Sequence, residues 1–305
     1  MVFYTKRQAN AHDGGINVQR NVENARFLSN AHTHTPFCDG ISAVEDIIAA
    51  AKQLGFVSLG FSGHGKQEFD FAYCMGHEKQ CCYENMLRAL QIRFRNEGES
   101  PCIWIGLEQD AMVDEAQKAY NRQHFDYILG STHYLTRDFH GVPVSVDGDF
   151  TTLNTYVAEV FMGDWTAMVR AYYDALVDML RRDRPQIIGH FDLVRKQGFL
   201  TELFYYPIYR RIALRALELA HSCEGVLEVN TGGMAKGIMD EPHPARELLG
   251  AWLEMGGEVT LTSDCHDVKH LDYGLDDMLG KLKRLGFKSF QRLGTGKALW
   301  ETMEL

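Results

Sequence analysis

Short runs of β-branched and apolar residues recur along the chain, and most are followed by a longer stretch whose apolar positions repeat every three to four residues. The runs lie at Arg26–Ala31, Val57–Phe61, Cys102–Leu107, Tyr127–Gly130, Gln186–Gly189, Gly225–Val229 and Glu258–Thr262. The helical stretches lie at Ser42–Leu54, His77–Asn96, Thr152–Arg182, Pro207–Ser222, Pro242–Met255 and Asp272–Leu285, with a weaker pattern over 111–123. The first of them opens on Ser42 with Glu45 three positions on, which reads as a capping box. Strands alternating with helices predict an α/β fold on a parallel sheet, either open and doubly wound or closed into a barrel. No linker divides the pattern, so residues 26–305 read as one domain behind a polar, aperiodic N-terminal extension over 1–25. Two connections, 65–76 and 134–151, have the length of lids or binding loops.

Each predicted strand ends in a polar residue, and most end in a metal-ligand type. The first runs into His32-Thr33-His34, the second into His64, the third into Glu108 and the fourth into His133. The fifth ends in His190, the sixth in Asn230 and the seventh in Asp264-Cys265-His266. In parallel α/β folds the C-terminal strand ends form the functional rim. Side chains alternate along a strand, so His32 and His34 share a face, as do Asp264 and His266. Asp39, in the loop just beyond the first pair, can turn back to the same rim. Imidazole and carboxylate together suit zinc, manganese or iron. The set exceeds one coordination sphere, which points to two or three divalent ions sharing a carboxylate. His12, His77, His124, His140, His221, His243 and His270 fall away from the strand ends and are read as structural or solvent-facing.

Composition narrows the field. The 305 residues carry 31 basic and 41 acidic side chains, a net charge of −10. This excludes a basic footprint for nucleic acid and argues against anionic membrane surfaces. No apolar run is long enough for a membrane span or a secretory signal. The seven cysteines are odd in number and form no C-x-x-C pair, so neither a disulfide framework nor a thiolate zinc site is expected, and a reducing cytoplasm is. Neither a P-loop, a G-x-G-x-x-G nor a G-x-S-x-G motif occurs at a strand end. Cys38 and Cys265 sit beside ligand positions and read as small space-fillers.

The ordered set H-x-H, H, E, H, H and D-x-H resembles the polymerase-and-histidinol-phosphatase (PHP) family of metal-dependent phosphoesterases, over about residues 27–293. The stretches Ile187–Lys196 and Glu228–Gly233 resemble its histidinol-phosphatase branch. The resemblance implies a distorted (β/α)7 TIM-like barrel with a trinuclear site at the C-terminal strand ends. It places His32, His34, Glu108 and Asp264 on the first ion, Glu108, His133 and His190 on the second, and Asp39, His64 and His266 on the third. Three departures from the family pattern stand out. Asn30 stands where Asp is common, Gly40 where a His ligand is common, and Ser62-Gly63 where Thr-Asp is common.

The implied reaction is hydrolysis of a small phosphate monoester, with L-histidinol phosphate ahead of sugar or nucleotide phosphates. Glu108 would bridge two ions, and either Asp264 or a metal-bound water is the candidate to protonate the leaving alkoxide. Arg195 and Lys236 are the candidates to grip the phosphate, Arg195 through a bidentate fork. The run Phe69-Asp70-Phe71-Ala72-Tyr73 could wall an imidazole, with Asp70 meeting an ammonium. Two other readings stay open on the residues alone. An amidohydrolase-type barrel shares the H-x-H start but not the Glu at strand three or the D-x-H end. A PHP-like module kept only for binding would be expected to have lost ligands.

Overall fold

The computed structural model describes residues 28–203 and 205–305. The proposed N-terminal extension and the start of the first predicted strand lie outside them. In chain order the strands are β1 (Ser29–Asn30), β2 (Ser58–Phe61), β3 (Cys102–Asp110), β4 (Tyr127–Ser131), β5 (Tyr134–Phe139), β6 (Val142–Ser145), β7 (Ile187–Ile188), β8 (Val226–Asn230), β9 (Val259–Thr262), β10 (Ser289–Leu293) and β11 (Trp300–Glu304). Among the described residues, β1, β2, β3, β4, β7, β8, β9, β10 and β11 form one sheet in that order, and β5–β6 form a separate hairpin. Every neighbouring pair in the main sheet is parallel except β10–β11.

The helices are α1 (Val44–Leu54), α2 (His77–Glu97), α3 (Glu115–His124), α4 (Phe150–Val160), α5 (Trp165–Asp183), α6 (Gly198–Leu203), α7 (Pro207–His221), α8 (Gly232–Ala235), α9 (Arg246–Glu254) and α10 (Leu275–Leu285). Strands β2, β4, β8 and β9 are buried along their whole length, as parallel strands covered on both faces must be. One large apolar core lies between sheet and helices; a smaller one gathers Ala31, Trp104, Tyr127, Leu129, Ile187 and Leu293. Within the smaller core the Tyr127 hydroxyl donates to the Ala31 carbonyl at 2.6 Å, next to His32. Gly60 and Gly106 make room for that ring, since a Cβ on either would overlap it.

All seven expected strands are present, but the barrel count of seven is corrected by β10 and β11. Both follow the last expected helix, and β11 mixes Trp300 and Met303 with Glu301 and Glu304, too polar a pattern to stand out. The helix expected over 152–182 is two. Met162 and Gly163 have φ of 52° and 79°, and Asp164 caps α5 by accepting from Thr166 and Ala167 amides. The capping box is also corrected. Ala43 is the N-cap of α1, and the Ser42 hydroxyl instead accepts from Val268 N at 2.9 Å, tying α1 to the loop after β9. The weak 111–123 pattern is α3, capped by Asp114. Much of the long 134–151 connection is the β5–β6 hairpin.

Beyond the ends of the strands, pairing continues as isolated bridges that gather the site. Thr33 bridges Cys265 in parallel, with His34 N donating to Cys265 O at 2.8 Å and Cys265 N to His32 O at 3.0 Å. His64 bridges Glu108 in the same way.

Candidate metal centre

The nine predicted ligand positions converge on one buried cluster. Glu108 sits at its middle. Its Oε2 lies 3.2 Å from His32 Nε2, 3.5 Å from His34 Nε2 and 3.0 Å from His64 Nδ1. Its Oε1 lies 2.9 Å from His190 Nε2 and 3.4 Å from His133 Nε2, and accepts from Ser131 Oγ at 2.7 Å. One carboxylate thus divides its two oxygens between two groups of imidazoles. Asp264 Oδ1 lies 3.2 Å from His34 Nε2 and 3.3 Å from His266 Nδ1. Asp264 has a left-handed φ of 47°, a strained conformation for a side chain with a Cβ, concentrated here at a site residue. Asp39 places Oδ1 3.2 Å from His34 Nδ1 and Oδ2 3.0 Å from His266 Nε2.

Three sets of donor atoms lie close enough to share an ion: His32, His34 and Asp264; His64, Glu108 and His133; and His34, Asp39, His64 and His266. These differ in detail from the expected partition. His64 joins Glu108 as well as Asp39, and His190 faces Glu108 without entering a set. The donor chemistry fits cations. His34 Nε2, Asp39 Oδ1, Asp264 Oδ1 and His190 Nδ1 are all buried without a hydrogen bond, a concentration of orphaned polar atoms that a folded interior does not tolerate unless something satisfies it. The electrostatics agree. Burial alone would raise the Glu108 carboxyl, but His64, His32 and His133 hold it well below its usual range. Asp264 is likewise held low against burial by His32 and His266.

A supporting layer lies behind the ligand atoms. Glu228, at 0% exposure, accepts from His32 Nδ1 at 2.6 Å, from the His190 amide at 2.6 Å and from Thr262 Oγ1 at 2.7 Å. That bond puts the proton on His32 Nδ1 and aims Nε2 into the cluster, as carboxylates behind metal-binding histidines do. Asp110 does the same for His133, accepting from its amide at 2.8 Å and lying 3.3 Å from its Nδ1. Neither carboxylate was singled out from sequence. The available signal was period two: Glu228 lies two residues before Asn230 and Asp110 two after Glu108, each on a strand already pointing at the site.

A cleft of about 120 Å³ opens above the cluster, lined by Asp39, His64, Glu108, His133, His190, Asp264 and His266 below and by Tyr73, Tyr134, Asp147, Lys196 and Lys236 around the wall. Lys236 Nζ comes within 3.5 Å of His266 Nδ1. Arg195 is a correction. It does not line the cleft; it is 3% exposed, and its guanidinium pairs with Asp192 at 2.7 Å, with the Pro242 carbonyl at 3.3 Å and with Glu241 at 3.7 Å. The segment Leu193–Lys196 is a short 3-10 helix, whose tight turn sends adjacent side chains apart. Lys196 therefore takes the cleft side and pairs with Asp147 at 2.7 Å. The aromatic run is corrected in part: Tyr73 lines the cleft, Phe71 is exposed, and Asp70 accepts from the Tyr134 hydroxyl at 2.8 Å instead of facing the cavity. His243, read as structural, is so: its Nδ1 bonds Asp192 at 2.6 Å. Burial pushes the Cys38 thiol up to about 11 and the Cys265 thiol up to about 12, which suits fillers and not nucleophiles.

Residues 30–232 match the model of the PHP domain. The chain belongs to the PHP family. Similar proteins include a probable histidinol-phosphatase of Thermotoga maritima, 32% identical over 84% of this chain and 92% of that protein. A probable histidinol-phosphatase of Deinococcus radiodurans is 27% identical over 85% of this chain and 94% of its own length. Among solved structures, histidinol phosphate phosphatase of Lactococcus lactis, complexed with zinc, L-histidinol and phosphate, superposes with a TM-score of 0.62 at 20% identity, covering 88% of this chain and 97% of that one.

The three departures from the PHP pattern have local answers. Asn30 accepts from the His32 and Ser263 amides at 3.1 and 3.2 Å and donates to Ser263 Oγ at 2.8 Å, so the amide supports the H-x-H strand and β9 together. A Cβ at position 40 would lie 2.5 Å from Thr35 N, so this PHP loop has no room for a side chain there, while Asp39 lies among the donor atoms of His34, His64 and His266. A Cβ at position 63 would lie 2.8 Å from Cys38 Sγ, which occupies that space.

Proposed function

We propose that the protein is a metal-dependent phosphomonoesterase that hydrolyses L-histidinol phosphate to L-histidinol and phosphate. The observation that carries it is the Glu108 carboxylate split between two imidazole groups at the floor of a cleft whose rim carries Lys196 and Lys236. The relatives named histidinol-phosphatase and the Lactococcus structure with L-histidinol and phosphate support the choice of ester. In this reading His32, His34, Asp264, Asp39, His64, His266, Glu108, His133 and His190 hold two or three divalent ions, with zinc, manganese and iron all suited to the donors. The ions, when bound, polarise the phosphoryl oxygens and make water more acidic near neutral pH. Asp264 Oδ1, close to His34 Nε2 and His266 Nδ1, adds negative charge at the floor of the cleft as one of the atoms that would hold an ion. Lys196 and Lys236 meet the phosphate dianion from the rim. The Thr33–Cys265 bridge, which brings the ends of β1 and β9 together, supports a sheet closed as a distorted barrel with this site at its mouth. Phosphate release from histidinol phosphate and from sugar and nucleotide monoesters, with zinc, manganese and iron added separately and an amide panel as control, tests the reading. Release of phosphate from none of the esters under any metal would overturn it.

A further inference from the structure

A line of buried amides runs behind the metal centre and ends on a cleft loop. Successive residues of β3 point to opposite faces, so Glu108 enters the site while Gln109 turns to the helical layer. There Gln109 Oε1 accepts from Asn121 Nδ2 of α3 at 2.9 Å. Asn121 Oδ1 accepts from Gln80 Nε2 of α2 at 3.0 Å, and Gln80 Oε1 accepts from the Lys66 backbone amide at 2.6 Å. Gln109, Asn121 and Gln80 are all buried, Asn121 completely. Gln80 and Asn121 each donate along the chain in one direction and Gln109 accepts at its end, while Asn121 Oδ1 also accepts from Gln117 Nε2 at 2.9 Å, so turning Asn121 would set donor against donor and acceptor against acceptor. Lys66 lies two residues beyond His64. From it the chain runs out to Tyr73 and Cys74 on the cleft wall and returns, with Gln67 N donating to Met75 O at 3.2 Å and Met75 N to His64 O at 3.3 Å. The loop has few other polar ties to the body of the protein, chief among them the Gly65 amide on Glu108 O at 2.8 Å and Asp70 on the Tyr134 hydroxyl.

We propose that the Gln109–Asn121–Gln80 chain is a latch that fixes the loop from Lys66 to Met75 on β3, so that Gln80 is a positioning residue for the cleft wall. The latch ties the wall to the strand that carries Glu108, so loop and floor keep one register. Its energetic logic is the high cost of a buried polar group left without its partner.

The inference rests on the phosphatase reading only for its kinetic test. Hydrogen–deuterium exchange of the full-length, metal-supplemented protein is independent of any substrate. In the wild type the Lys66 amide should exchange as slowly as strand amides; exchange within seconds would overturn the latch. In Gln80→Met, of similar volume but without an acceptor, exchange over 65–76 should quicken about tenfold or more while β7–β9 stay unchanged. Gln80→Glu, which keeps an oxygen for Lys66 but loses the donor to Asn121 Oδ1, should recover only part of that protection. With histidinol phosphate, Gln80→Met should raise KM three- to tenfold with kcat within about twofold, and Gln80→Glu should lie between Gln80→Met and the wild type. Unchanged exchange over 65–76 in Gln80→Met, or a loss spread evenly over the protein, would show that Gln80 is only packing. If the wild type hydrolyses no phosphate ester the phosphatase reading fails, while the exchange data still decide the latch.

Discussion

The floor and the wall of the cleft are assembled from different kinds of segment. On the floor, His32, His34, Glu108, His133, His190 and Asp264 sit on or just past parallel strands, and neighbouring strand ends are joined by bridges such as Thr33–Cys265 and His64–Glu108. Behind them Glu228 and Asp110 fix the imidazoles. On the wall, Tyr73, Asp147, Lys196 and Lys236 ride on connections, and their placement depends on contacts between segments far apart in sequence, such as Lys196 with Asp147. The floor is therefore set by backbone geometry that repeats from strand to strand, and the wall by individual side-chain pairings. Substitutions on the floor should change metal content and the chemical step together, whereas substitutions on the wall should change substrate binding alone.

The sharpest way to break that contrast is Glu108→Gln. An amide lacks the charge that lets one side chain face two cations, so metal content should fall by more than one ion and kcat/KM by orders of magnitude, with the circular dichroism of the fold retained. Wild-type metal content, measured by elemental analysis, would remove Glu108 from the centre. Next is Glu228→Gln, which weakens the bond aiming His32 without touching an ion. A 10- to 100-fold loss in metal affinity is expected, read by chelator titration.

On the wall, Lys196→Ala should raise KM for the phosphate ester about tenfold and leave metal content unchanged. Arg195→Ala, one residue away, should leave KM near wild type and act on stability, because it strands the buried Asp192 carboxylate; about 3 kcal/mol is expected in denaturant unfolding. The pH dependence gives that prediction a sign. Burial would raise the Asp192 carboxyl, but Arg195 and His243 hold it below its ordinary value. Its contribution is present above the unfolded-state value near 4 and is lost as pH falls, so the variant's deficit should be full at neutral pH and shrink in acid. A KM effect of Arg195→Ala larger than that of Lys196→Ala would reverse the assignment. The smallest effect belongs to Lys236→Ala: its ammonium sits at the open rim, and a KM change of about threefold is expected.

The candidate ligand set was legible in the chain because every member except Asp39 lies within four residues of the end of an apolar run, and period two says which neighbours share a face. His32 and His34 need no tertiary information to point together, nor do Asp264 and His266. The same rule placed seven strands of the main sheet in order. It missed β10 and β11, whose alternation is muted by Gln291, Arg292, Glu301 and Glu304, and it ran α4 and α5 together, because periodicity does not register the left-handed turn at Met162 and Gly163.

What only the tertiary structure decided is the pairing of side chains distant in sequence. Arg195 and Lys196 are adjacent cations on one short turn, and the sequence has no means of choosing between them. The choice falls to Asp192, His243 and the Pro242 carbonyl, which claim the guanidinium, and to Asp147, which draws the ammonium to the cleft. Asp39, rather than position 40, is the loop residue that joins the cluster, because the backbone of His34 and Thr35 closes the space a side chain at 40 would need. Strand periodicity is a local property of the backbone and survives in the one-dimensional record. Which cation meets which carboxylate depends on the distances that folding creates, and exists only once the strands and loops are in place.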